Sequence, residues 1–148
     1  MGIVPGRHSI TFHYRTLLTS LEKYLFLPDI NPSWYNALAI AFSIFYLYTR
    51  SSWLKVIVIF LINWVDWLDG ATARRYNRES REGYIIDIMT DRVGEAFIFA
   101  AEADTAIGQF FFLLWLINMA FTFYSVYSNK HTSLPLRYVY LVVLIAQM

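Results

Sequence analysis

The sequence predicts an all-α integral membrane protein, a helical bundle of about five transmembrane helices preceded by an amphipathic helix in the membrane interface. Three observations support this fold class. Hydrophobic residues make up 57% of the 148 residues, charged residues only 16%, and the mean hydropathy is +0.42. Apolar runs recur at close to the ~20 residues that cross a bilayer. The basic residues are concentrated in alternate connections between these runs.

A single membrane domain is expected over residues 1–148, and each helix has its own signal. Residues 9–27 alternate apolar and polar side chains at helical spacing, a pattern typical of a helix that lies in the interface. Asp29 and Pro32 end this segment. The apolar runs then predict membrane spans near residues 33–49, 53–74, 84–103, 106–128 and 137–148.

The distribution of basic residues predicts the orientation in the membrane. Basic residues precede the first span, fill the connection between the second and third, and flank the fourth: Arg7, Arg15, Lys23, Arg74, Arg75, Arg78, Arg81, Lys130 and Arg137. Positively charged loops stay in the cytoplasm. The N-terminus and the arginine-rich connection are therefore expected at the cytoplasmic face of the cell membrane.

Four aspartates lie near the ends of two apolar spans: Asp66, Asp69, Asp87 and Asp91. A carboxylate at the centre of a membrane helix costs ~2.5–3.5 kcal/mol on insertion scales, so four of them need compensation. At 100° per residue, the first two share one arc of the second span with Gly70 and Ala73, and the other two follow Gly83 in an i, i+4, i+8 stripe. The antiparallel spans should bring the four carboxylates together near the cytoplasmic face.

The expected compensation is a divalent cation. Facing carboxylates cannot all remain ionised without a counter-charge. The chain has no cysteine, which excludes disulfides and thiolate metal sites, and oxygen ligands favour Mg²⁺, Mn²⁺ or Ca²⁺ over zinc. Four carboxylates have the capacity for a pair of such ions, an arrangement suited to phosphoryl transfer. The absence of a side chain at Gly70 and Gly83 and the small one at Ala73 would let a nucleotide approach the backbone.

The spacing of these residues resembles the signature of the CDP-alcohol phosphotransferases, D-x2-D-G-x2-A-R-x8-G-x3-D-x3-D. All eight positions match: Asp66, Asp69, Gly70, Ala73, Arg74, Gly83, Asp87 and Asp91. The resemblance implies transfer of a substituted phosphate from a CDP-linked lipid to an acceptor alcohol, with release of CMP, in phospholipid biosynthesis. The expected partners are the CDP-linked lipid, a small polar alcohol, membrane lipid and a second copy of the chain, and no nucleic acid.

The resemblance also implies a role for each signature residue. Asp66, Asp69 and Asp87 would be metal ligands, and two Mg²⁺ ions are expected, with Mn²⁺ as the alternative. Asp91 would touch the metal site and act as general base on the acceptor hydroxyl. The remaining signature residues would line or support the CDP pocket: Gly70, Ala73, Arg74 and Gly83.

The acceptor is predicted less directly. Asp91 followed by Arg92 resembles members that use inositol phosphate, and glycerol phosphate is the other candidate. Lys130 and Arg137 are candidate ligands for an acceptor phosphate at the cytoplasmic surface, although ordinary positive-inside charge explains them equally well.

Two features depart from the family pattern. Its members usually have six spans, whereas five are expected here. They often carry P-N-x-x-T at the start of the first span, where this chain reads PSWYN from Pro32 to Asn36.

Two other function classes also fit some of these features. Intramembrane aromatic prenyltransferases use aspartate-rich helices and magnesium diphosphate, but lack this Gly-x-x-Ala-Arg and Gly-x-x-x-Asp-x-x-x-Asp spacing. A non-catalytic cation-binding membrane protein would bury carboxylates, but would not need small residues beside them.

Overall fold

The computed structural model describes residues 27–128 and 133–148. Within these ranges the chain forms five α-helices and no strand: α1 (Ser33–Tyr48), α2 (Ser52–Arg75), α3 (Arg81–Ala100), α4 (Ala106–Ser128) and α5 (Leu136–Ala146). The predicted all-helical fold is therefore confirmed. Each helix begins within three residues of a predicted span. The predicted interfacial helix, residues 9–27, lies outside the described residues except for its last position.

Of the five helices that the structure describes, two are long and apolar enough to cross a membrane, namely α2 and α4. The α5 helix is apolar but shorter. Large apolar side chains cover the outer surface of α4, where Phe110, Leu113 and Phe123 are each more than half exposed. A continuous apolar surface of this kind is unfavourable in water and suits contact with lipid. These features indicate a membrane environment.

The five helices pack as a ring. The extensive contacts join α1 to α2 and α3, α3 to α4, and α5 to α2 and α4. The order around the ring is therefore α1, α2, α5, α4, α3. Because α1 lies between α2 and α3, the two helices that carry the aspartates are not packed tightly against each other. Their facing side chains point into the middle of the ring.

The connection between α2 and α3 is fixed at both ends by hydrogen bonds. The N–H of Arg78 donates to the carbonyl of Ala73 (2.8 Å), and the N–H of Asn77 donates to the carbonyl of Arg74 (3.3 Å). This pattern needs a left-handed residue after the helix, and Asn77 adopts φ +52°. Ser80 then caps α3, because its Oγ accepts from the N–H of Gly83 at 2.9 Å.

Close approach of α1 to α3 depends on Gly94. A Cβ atom at this position would lie 2.9 Å from Oγ of Ser43, which is buried and donates to the carbonyl of Ala39. Small residues at a helix contact let two backbones come close enough for van der Waals packing without a bulky side chain between them. The contact holds α1 against the helix that carries Asp87 and Asp91.

A second polar cluster lies at the opposite end of the ring from the aspartates. Nζ of Lys55 lies 2.5 Å from Oε1 of Glu102, and the hydroxyl of Tyr46 donates to the same oxygen at 2.8 Å. The core beside it includes Phe99, whose ring meets that of Tyr140 edge-on at 5.5 Å between centroids. These contacts connect α1, α2, α3 and α5 away from the end of the ring where the aspartates lie.

Candidate active site

The four signature aspartates meet inside the ring, near the connection between α2 and α3. They form two facing pairs: Asp66 of α2 lies against Asp91 of α3, and Asp69 of α2 lies against Asp87 of α3. In both pairs the carboxyl groups are close enough to interact. Asp69 is buried and the other three are half-buried. The structure thus concentrates four acidic groups where little water can screen them.

Arg137, at the start of α5, bridges the first pair. Its Nη2 atom lies 3.1 Å from Oδ2 of Asp66 and 2.5 Å from Oδ1 of Asp91. The arginine side chain is only 5% exposed, so these contacts are shielded from solvent. Charge-assisted hydrogen bonds of this kind are among the stronger polar contacts in proteins. One guanidinium group therefore joins α5 to both helices of the site.

The second pair has a different environment. Oδ1 of Asp69 and Oδ1 of Asp87 are buried, and neither finds a hydrogen-bond partner within the described ranges. The side-chain amide of Asn36, from α1, lies beside the Asp69 carboxyl group. Leaving a buried acceptor unpaired costs free energy, so such atoms in a native fold usually have a specific explanation, such as a catalytic role or a bound ion or water. Here each of two interacting carboxyl groups has one such oxygen.

The donors of this site suit a hard divalent cation. No three acidic or histidine side chains in the described parts of the chain are already grouped as a metal site. The available atoms are nevertheless carboxylate oxygens, two of them without partners, and oxygen donors are those that Mg²⁺ and Mn²⁺ prefer. Asp69 and Asp87 present the unpaired oxygens, whereas Asp66 and Asp91 are engaged by Arg137.

The small signature residues have local packing roles in this structure. A Cβ atom at Gly70 would lie 3.1 Å from Nη1 of Arg74, so the glycine makes room for that guanidinium group. The charge of Arg74 acts in turn on Asp69. A Cβ atom at Gly83 would lie 3.1 Å from Oγ of Ser80, the helix cap. Ala73 is half-buried on the same helix as Gly70. Contact of these residues with a nucleotide stays a prediction.

The three basic residues considered for the acceptor lie in three different situations. Arg92 is buried, and its Nη1 lies 2.9 Å from Oε2 of Glu95. Lys130 lies outside the described residues. The expected surface position of Arg137 is wrong, because this residue is only 4% exposed. Two facing carboxylates provide the physical reason, since they stabilise its charge inside the ring.

Sequence reasoning missed the contribution of α1 to the site. Asn36 lies beside Asp69, and the hydroxyl of Tyr35 accepts a 3.4 Å hydrogen bond from Thr72 of α2. Both residues belong to the PSWYN stretch, which departs from the P-N-x-x-T pattern. The signal available was the asparagine itself, a polar amide side chain on a mainly apolar helix.

A comparison with protein families agrees with the geometry. The fold and the site define the class of protein: an all-helical membrane protein with paired aspartates on two neighbouring helices. The family model for CDP-alcohol phosphatidyltransferase matches residues 31–146. The matched region includes all five helices, both aspartate pairs and Arg137. The chain therefore belongs to the CDP-alcohol phosphatidyltransferase family, as the signature predicted. Comparisons with curated proteins and with solved structures gave no match.

Membership defines the chemistry in general terms. The family comprises transferases of phosphate-containing groups from CDP-alcohols and acts in phospholipid synthesis. Its members are membrane-associated and generally depend on divalent cations.

Proposed function

We propose that this protein transfers a substituted phosphate from a CDP-linked lipid to a small polar alcohol and releases CMP. One observation supports the proposal most strongly. Two pairs of aspartates face each other inside the region that matches the family: Asp66 with Asp91, and Asp69 with Asp87. A cation-binding protein without catalysis would not need the complete signature around them.

The proposed site is at the cytoplasmic face of a multi-pass protein. All five helices would lie in the membrane, with residues 9–27 as an interfacial helix and a second copy of the chain completing a homodimer. The arginines of the α2–α3 connection support this orientation, because positive loops stay in the cytoplasm. The aspartate pairs lie next to that connection, so a soluble acceptor would approach them from the cytoplasmic side.

Asp66, Asp69 and Asp87 would hold the divalent cations, with Asp91 touching the metal site. Two Mg²⁺ ions are proposed, and Mn²⁺ would substitute for them. When bound, the cations would offset charge on the phosphate oxygens and on the departing CMP. The unpaired oxygens of Asp69 and Asp87 support this assignment, because they are buried acceptors on facing helices.

Asp91 is proposed as the general base. Its carboxylate takes the proton from the acceptor hydroxyl, and the hydroxyl oxygen forms a bond to the phosphorus distal to cytidine. The bond between that phosphorus and the bridging oxygen of the diphosphate breaks, and CMP leaves with its electron pair. Gly70, Ala73 and Gly83 would line the cytidine diphosphate pocket, with Arg74 beside it.

The acceptor is proposed to carry a phosphate, as in inositol phosphate or glycerol phosphate. Arg92, Lys130 and Arg137 are the candidate ligands for that phosphate. Arg92 and Arg137 are buried and paired with carboxylates, so each would have to leave its partner to bind the acceptor. Their positive charge suits a phosphate-bearing acceptor better than a neutral alcohol such as serine or free glycerol.

The proposal is tested by supplying purified protein in detergent with Mg²⁺, a CDP-linked lipid and one acceptor at a time. Inositol phosphate, glycerol phosphate, serine and free glycerol form the panel. We expect CMP release that depends on a phosphate-bearing acceptor. Pyrophosphate release from a prenyl diphosphate, with no CMP from any combination, would instead assign the protein to the prenyltransferases.

A further inference from the structure

We propose that Arg137 is a built-in counter-ion of the site, which competes with the divalent cation for Asp66 and Asp91. The inference rests on the proposed function and adds a positioning residue to it. Arg137 would offset part of the negative charge of these two carboxylates before the cation binds and would have to leave them when it does. Asp91 would thereby be kept from acting as a base until the site is loaded.

Burial makes this arginine dependent on the two aspartates. A buried charge is strongly unfavourable unless it is paired, and removal of one partner of such a pair typically destabilises a protein. Arg137 is 4% exposed and contacts one carboxylate on each of two helices. The two aspartates depend on Arg137 in turn, because they face each other and its positive charge acts on both.

The contacts also involve the atoms that a cation would use. Nη2 of Arg137 lies against Oδ2 of Asp66 and Oδ1 of Asp91, so one nitrogen occupies the space between two carboxylates. A cation bound to the same two oxygens and this guanidinium group exclude each other. The Asp69 and Asp87 pair shows the contrast, because each has a buried oxygen without a partner in the described ranges.

The start of α5 is fixed, so release of Arg137 is a side-chain movement. The backbone of Leu134 forms two hydrogen bonds with the side chain of Asn118 on α4: its N–H donates to Oδ1 at 2.8 Å, and its carbonyl accepts from Nδ2 at 3.0 Å. Leu136 and Tyr140, on either side of Arg137, are buried in the core. The helix therefore holds the arginine backbone in place while the long side chain can move.

The test is Mn²⁺ binding, measured by electron paramagnetic resonance on the full chain in detergent micelles. Arg137→Met removes the competing charge and keeps much of the side-chain volume. We expect it to bind Mn²⁺ at least about tenfold more tightly than wild type, the factor that corresponds to one charged hydrogen bond. Arg137→Lys keeps the charge without the planar guanidinium group and should give an intermediate affinity.

Lys55→Met is the matched control. It removes a half-buried cation from another carboxylate, Glu102, at the opposite end of the ring. We expect its Mn²⁺ affinity to equal that of wild type. Unfolding temperature gives a second readout: Arg137→Met should unfold at lower temperature in EDTA and regain stability with Mg²⁺, whereas Lys55→Met should be destabilised equally in both.

Equal or weaker Mn²⁺ binding by Arg137→Met would overturn the inference, because Arg137 would then organise the carboxylates for the cation or play no part. The proposed function fails separately. If wild type releases CMP and Arg137→Met binds Mn²⁺ no more tightly, only the counter-ion role is lost. If Arg137→Met binds more tightly and no CMP is released with any acceptor, the counter-ion role stands and the transferase proposal is lost.

Discussion

Asp91 is the residue whose replacement separates binding from chemistry. Asp91→Asn keeps the size of the side chain but removes the proposed base. We expect CMP release to fall by ~10²–10⁴-fold, the usual contribution of a general base, while binding of the CDP-linked lipid persists. Asp29→Asn is the matched control, because Asp29 is exposed and pairs with Arg78 outside the site. Unchanged CMP release by Asp91→Asn would mean that another group takes the proton.

The sequence indicated the aspartates as site residues, but not the contact of Arg137 with two of them. Carboxylates in apolar segments are costly, so Asp66 and Asp91 stand out wherever they occur. The contact of Arg137 with these two aspartates could not be predicted from the sequence, because Arg137 lies 71 and 46 positions away from them along the chain. A basic residue at the end of a span has an ordinary explanation in membrane topology, and only the folded ring shows which carboxylates it meets.

Among the helices, the contact between α1 and α3 is the most sensitive to added volume. Gly94→Ala would place a methyl group 2.9 Å from Oγ of Ser43, closer than atoms normally pack. We expect a loss of about 1–3 kcal/mol in the free energy of unfolding, typical of overpacking. Thermal unfolding in detergent measures it. Ser43→Ala in the same chain removes the clashing oxygen and should recover most of the loss; a double variant as unstable as Gly94→Ala would contradict this explanation.

The start of α5 depends on Asn118. Asn118→Leu removes both side-chain hydrogen bonds to Leu134. The carbonyl of Leu134 keeps the bond from the N–H of Leu136, but its own N–H loses its partner, which costs roughly 1–3 kcal/mol. We expect faster amide hydrogen exchange over residues 134–140, with α1 unchanged. Equal exchange in both proteins would show that core packing alone fixes α5.

The sequence predicted where the helices lie but not how they are arranged. Hydropathy is a local property, so the start of each helix followed from it within three residues. The order of the ring depends on contacts such as Ser43 with Gly94, which link distant segments through shape. For this reason the sequence did not predict that α1 packs against both aspartate helices and adds Asn36 to the site.

For the molecule as a whole, the proposed topology places the two polar ends of the ring on opposite sides of the membrane. The chain has no cysteine, so a single introduced thiol reports the side directly. Glu79→Cys lies in the α2–α3 connection and Asp104→Cys in the α3–α4 connection, and both positions are exposed. We expect an impermeant maleimide added outside intact cells to label Asp104→Cys only. Labelling of both from the same side would contradict the proposed crossing of α3.

We propose that the aspartate pairs hold divalent cations, which in turn hold the diphosphate. The most direct test is the release of labelled CMP from a cytidine-labelled CDP-linked lipid as Mg²⁺ is titrated. Wild type should release CMP only with Mg²⁺ or Mn²⁺, and the double variant Asp69→Asn, Asp87→Asn should release almost none at any concentration. Release of CMP in EDTA, or undiminished release by the double variant, would contradict the account.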